Sequence, residues 1–122
     1  MQWILLNFMA DIPIQVLEQM FTNMRNKTGW DTSGDLLWGY FFVDREPKKL
    51  EPLATHLMEL GYRVVSIYET DDRSTHFLHV ERIETHTADS LFERNAELNM
   101  LATSFGVDNY DGMDVGPVKR TQ

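Results

Sequence analysis

Apolar residues recur at helical spacing in three stretches of this chain. Val16, Leu17, Met20, Phe21 and Met24 make a broad face on a helix of about three to four turns. Asp11 with Pro13 marks its start, and Arg25, Asn26 and Lys27 lie at its end, where cations complement the helix dipole. Leu50, Leu53, Leu57 and Leu60 form the second such face, within Arg45–Leu60. A start near Lys48 or Lys49 would place Pro52 in the first turn, where a missing N–H matters little; Gly61 ends this helix. Leu91, Leu98, Leu101 and Phe105, with Ala102 beside them, form the third. Thr87 is one candidate N-cap there. Ser90, with Glu93 three residues on, is the other, and Gly106 falls where a left-handed C′ residue would sit.

The remaining apolar runs have the shorter period of strands. Leu36–Val43, LLWGYFFV, is almost continuously apolar, which predicts a central strand buried on both faces; Gly39 marks a close backbone approach or a bulge. Tyr62–Glu69 alternates with Val65 and Ile67 on one face. Asp71-Asp72-Arg73-Ser74 is a turn, and Thr75–Glu84 completes a hairpin. In that last strand Leu78 and Val80 face one side, while Phe77, His79, Glu81 and Ile83 face the other. After Gly106 a short extended segment carries Tyr110-Asp111-Gly112 back to the sheet. Thr28–Asp35 is a loop by its Gly, Asp and Ser content, with Trp30 as an anchor at the core rim. Met1–Met9 is apolar without a clean period, so a helix and an irregular packed arm both remain open.

From Leu36 the order is therefore β-α-β-β-α-β, preceded by a helix. This predicts an α+β class and a ferredoxin-like βαββαβ sandwich. Two helices would cover one face of a four-stranded antiparallel sheet, with an extra helix before it. The other face is left for the N-terminal segment, a partner or a second copy of the chain. Residues 1–122 are expected to form one domain, with residues 1–27 as a helical extension and 117–122 as a tail.

Composition narrows the function. At 43% hydrophobic and 25% charged, the chain has the make-up of an ordinary soluble domain. Its formal net charge of −8 gains nothing from the counterion release that drives general nucleic-acid binding, so basic or uncharged partners are expected. There are no cysteines, which excludes disulfides, zinc thiolates and a cysteine nucleophile and fits a reducing, cytoplasmic setting. The opening apolar run is too short to span a bilayer, so no membrane partner is expected.

No assembled catalytic set, P-loop or dinucleotide fingerprint is present, and the chain is expected not to be an enzyme and to take no cofactor. His76 and His79, three apart on a strand, point to opposite faces and cannot share one ion; His79 and Glu81 do share a face. Asp108, Asp111 and Asp114 have a cation-like spacing but lack the alternating ligands and terminal Glu of an EF-hand, so a polar turn is favoured. Trp38, Tyr40 and Phe42 recur every second residue. No basic frame surrounds them, so core or a buried protein interface is favoured over RNA stacking. Acidic residues such as Asp31 and Asp35 crowd the loops and strand ends; gathered on one side, they would dock an Arg-rich segment of a partner.

Gly29–Val43, the Leu60-Gly61-Tyr62 turn, and a Leu- and Ala-rich helix followed by Phe105 and Tyr110-Asp111-Gly112 resemble the family of the regulator of ribonuclease E activity B, from roughly Met20 to Met113. The resemblance implies a ferredoxin-like, non-catalytic protein that binds an endoribonuclease such as ribonuclease E and lowers its activity. The family's usual aromatic after that glycine is Met113 here, and its acidic tail is replaced by Val118-Lys119-Arg120-Thr121-Gln122. Those departures bear on the partner more than on the fold. Asp31, Asp35, Trp38, Tyr40, Phe42, Tyr110, Asp111 and Gly112 are the expected protein-binding residues. The alternative is a small-ligand or dimerisation module acting through the open sheet face, with no part in RNA decay.

Overall fold

The computed structural model describes the backbone of residues 4–6 and the whole of residues 12–118. Along them run β1 (Ile4–Leu6), α1 (Ile14–Lys27), β2 (Leu36–Asp44), α2 (Pro47–Glu59), β3 (Arg63–Glu69), β4 (His76–Glu84), α3 (Ala88–Ser104) and β5 (Asn109–Gly116). The strands form one antiparallel sheet in the order β1-β5-β2-β4-β3. The apolar run LLWGYFFV is its central strand, as predicted, but it is not buried on both faces: the helices cover the Trp38–Tyr40–Phe42 side, and Leu37, Phe41 and Val43 on the other are half-buried.

Two expectations about the layers are corrected. The sheet has five strands, not four: Ile4 pairs with Val115 and Leu6 with Met113, so β1 covers the edge that β5 would otherwise expose. The rest of Met1–Met9 lies outside the described residues. The helical layer holds three helices, not two. α1 packs against α3, and its Phe21 ring sits 6.0 Å from that of Trp38. Burying the Leu17–Met24 stripe this way spares α1 from lying across the far face of the sheet.

The ends of the helices follow local chemistry. The Thr87 hydroxyl accepts from the Ser90 N–H at 3.1 Å, and the Ser90 hydroxyl accepts from the Thr87 N–H at 2.8 Å. Thr87 is thus the N-cap, and Ser90 takes the place in the capping box that a Glu commonly fills. Past α3, Gly106 adopts φ +69, and the Val107 N–H reaches back to the Ala102 carbonyl at 2.9 Å, closing a Schellman turn. α2 begins at Pro47 rather than Lys48 or Lys49, because proline is favoured at the first helical position. Pro52 consequently lies inside the helix, on its exposed side, beyond the first turn. In β3 a register shift between Val64 and Ser66 separates Val65 from Ile67. Val64 and Ile67 pack on the core, and Val65 is turned out to solvent.

The core lies between helices and sheet. Trp38, Tyr40 and Phe42 of β2, Leu78 and Val80 of β4, and Tyr110, Met113 and Val115 of β5 are buried there with Leu50, Leu53 and Leu57 of α2 and Leu91 and Leu98 of α3. Asp44, also buried, ends β2: Oδ1 accepts from the Glu46 N–H at 2.8 Å and Oδ2 from the Asp108 N–H at 2.9 Å. One carboxylate thus ties the start of α2 to the turn before β5.

Candidate protein-interaction face

The expected binding residues separate into two groups. Trp38, Tyr40, Phe42 and Tyr110 have no exposed surface and pack under the helices, so they shape any partner surface only from behind. Gly112, also buried, pairs with Phe41, while Asp111 is the extra residue of the bulge opposite the Phe41–Phe42 step. Asp31 and Asp35 are exposed on the loop before β2. Asp31 Oδ1 accepts from both the N–H and the hydroxyl of Ser33, and Asp35 Oδ1 accepts from the Thr85 hydroxyl at 2.7 Å. With Trp30, Ile83 and Pro117 these acids line a groove of about 570 Å³.

Beneath the helices lies a polar network that sequence reasoning missed. Glu84 Oε2 accepts from the Tyr40 hydroxyl at 2.6 Å and lies 3.0 Å from His86 Nε2, while Oε1 accepts from Arg94 at 3.0 Å. Arg94 also donates to the Tyr62 hydroxyl, His86 Nδ1 lies 2.8 Å from the Ser90 hydroxyl, and Trp38 Nε1 donates to the Glu84 carbonyl at 3.1 Å. Burial pushes the Glu84 carboxyl up, but hydrogen bonds from His86 and Tyr40 and the Arg94 charge outweigh it, so the group is held below the usual carboxylate range. Burial drives the Tyr40 and Tyr110 hydroxyls well above theirs. Tyr110 donates to Asn95 Oδ1 at 2.6 Å. These groups spend their hydrogen bonds on one another and clamp α3 to the sheet. One signal was legible: Asn95 interrupts the buried spacing Leu91, Leu98, Ala102 with a polar side chain.

The opposite face of the sheet carries the other parity of each strand, and no described helix lies over it. Phe41 stacks on His79 at 4.3 Å between ring centroids and meets Phe77 edge-on at 6.3 Å; Tyr68 stacks on Phe77 at 5.6 Å. An aromatic row therefore crosses β2, β4 and β3. Tyr68 is 42% and Ile83 54% exposed. Beside the row stand Asp111 and Asp114, whose charges, after burial itself, raise the Tyr68 hydroxyl. Burial also raises Asp111, and burial together with the Glu81 charge takes Asp114 up to about 6. Glu81 is already paired with Arg63. No salt bridge to Asp111 or Asp114 occurs among the described residues, and no cluster of three metal-ligating side chains occurs among them either. The face is thus aromatic along its middle and acidic along the β5 side, a pattern suited to a cationic protein segment.

No curated protein matches the chain. The family described as RraB, Regulator of ribonuclease activity B, matches residues 15–115. That span takes in α1 through β5, and with it the helical layer, the polar network and the open face. Because the match covers most of its 122 residues, the chain belongs to the family of regulators of ribonuclease activity B.

Proposed function

We propose that this chain is a non-catalytic, cytoplasmic regulatory domain that binds an endoribonuclease of the ribonuclease E type and lowers its activity, without contacting RNA. Membership of the regulator family over residues 15–115 is the observation that carries this reading. Strand order β5-β2-β4-β3 with βαββαβ connections supports a ferredoxin-like core, to which β1 and α1 are additions within one domain. Net charge of −8 supports a basic protein segment as the contact and argues against nucleic acid. Asp31, Asp35 and Asp111 are the expected binding residues that the fold leaves within reach, with Trp38, Tyr40, Phe42, Tyr110 and Gly112 as their support.

Cleavage of a short RNA by purified ribonuclease E, followed with increasing amounts of the chain, tests the proposal. Cleavage should slow at saturating chain, and the inhibition should weaken as salt rises by about tenfold, because the contact is charge-assisted. Cleavage that stays constant at every ratio would remove it. A second reading, a homodimer through the open face, draws on the exposure of Tyr68 and Ile83 there. Light scattering across a dilution series separates the two, since a constant monomer mass excludes the dimer.

A further inference from the structure

Gly39 sits at the centre of the open face, between Glu81 of β4 and Asp114 of β5. A Cβ built there would strike Asp114 Oδ1 and lie 2.8 Å from His79 Nε2. Both atoms therefore reach into the space that only a glycine leaves at this position. Both are buried and neither has a hydrogen-bond partner of good geometry, although the Gly39 and Asp114 backbone N–H groups lie near enough to the Asp114 carboxyl to offset part of its upward shift. Buried polar atoms are almost always paired, because an unmade bond leaves the desolvation cost uncompensated. Two such atoms converging on one point of a face that no described helix covers indicate that their partner comes from outside the fold.

The missing partner of Asp114 must be a donor. Asp114 is an acceptor once ionised, and burial holds the His79 ring below its ordinary value, so it is neutral near pH 7. With its proton on Nδ1, that ring presents Nε2 as a second acceptor. The stacked Phe41 ring, at 13° to the imidazole, fixes the orientation of His79; Phe77 meets Phe41 edge-on and Tyr68 stacks on Phe77, so ring faces and edges border the point. Asp111 adds a second carboxylate with no basic partner among the described residues. A planar cation with several N–H donors satisfies all of these demands. An ammonium, compact and strongly hydrated, satisfies the charge but not the stacking.

We propose that the open face binds an arginine side chain of a protein partner, its guanidinium donating to Asp114 and His79 above Gly39 and lying against the Phe41–Phe77–Tyr68 row. The proposal rests on the protein-binding reading above and gives it a contact point.

The test is a two-dimensional amide NMR titration of the full chain with the peptide Gly-Gly-Arg-Gly-Gly, its lysine counterpart and its citrulline counterpart, at neutral pH and low salt. Shifts should centre on Gly39, Phe41, His79 and Asp114. The arginine peptide should bind about fivefold more tightly than the lysine one, and citrulline, uncharged, should weaken binding by about tenfold. Asp114→Asn, close in shape to the original, should keep the dispersed spectrum of the folded chain and lose about tenfold in affinity. Equal shifts for arginine and lysine, shifts confined to the Asp31–Asp35 loop, or unchanged affinity in Asp114→Asn would each overturn the site. So would self-association that broadens the same signals without peptide, since a second copy would then be the occupant. The enzyme assay keeps the two readings apart. If the unaltered chain leaves ribonuclease E unaffected yet binds the arginine peptide, regulation falls and the site stands. If Asp114→Asn still inhibits the enzyme while losing the peptide, inhibition stands and this site is not where that enzyme docks.

Discussion

Asp114 and Glu84 are carboxylates in one sheet whose environments push them in opposite directions. Donors surround Glu84 on the helical face, while Asp114 on the other face has burial and the Glu81 charge against it. The folded-state value of Asp114, about 6, lies above its ordinary 3.8, so folding takes up a proton between those values. Its contribution to stability is therefore fully present below the ordinary value and is lost as pH rises through the folded one. Asp114→Asn removes that loss. Urea melts between about pH 4 and about pH 7 should show the variant gaining on the parent as pH rises, with the gap levelling off above the folded-state value. Tyr40→Phe tests the opposite environment. It deprives Glu84 of a buried donor at 2.6 Å and should cost about 1–3 kcal/mol by chemical denaturation near neutral pH. Neither residue stands out in the sequence as half of a pair, because Tyr40 and Glu84 are 44 positions apart and meet only through the β2–β4 register.

Among the elements, the helices were the most legible. Their leucine spacings, the Thr87 cap and the glycine stops are local features, and the structure uses them, except that Leu60 falls past the end of α2 and is exposed rather than part of its buried face. Thr87→Ala should cost about 1 kcal/mol, since the Ser90 N–H loses its acceptor. Gly106→Ala should cost a similar amount, about 1–2 kcal/mol, because an L-residue resists φ +69. Thermal melts of the two variants and their double mutant should give nearly additive losses, as the sites lie at opposite ends of α3. The strands were less legible. Val65 and Ile67 share a face in a regular strand, and only the bulge at Val64–Ser66 parts them. β1 is not legible in the sequence, because a three-residue strand has no period to detect.

At the scale of the whole molecule, three helices on one face leave the other available, and negative charge borders that face. Long-range steering should therefore govern how fast a basic partner arrives. On the proposed reading, the association rate of the chain with ribonuclease E, followed by stopped-flow fluorescence, should fall steeply between about 0.05 and 0.5 M salt, while dissociation changes less. The Trp38–Tyr40–Phe42 stripe, for which the sequence leaves core and a buried interface both open, anchors the core. Phe41 and Phe77, of the other parity, lie half-buried on the open face.

Helix positions, the central strand, the acidic balance and the family resemblance could all be read from the residues, because each rests on neighbours in the chain or on sums over it. Which face of β2 the helices chose could not. A strand greasy on both sides has no preferred side until Trp38 Nε1 and the Tyr40 hydroxyl find Glu84 across the β2–β4 pairing. The convergence of Asp114 and His79 over Gly39 belongs to tertiary structure for the same reason. Three strands must be in register before two acceptors can meet where a glycine leaves room.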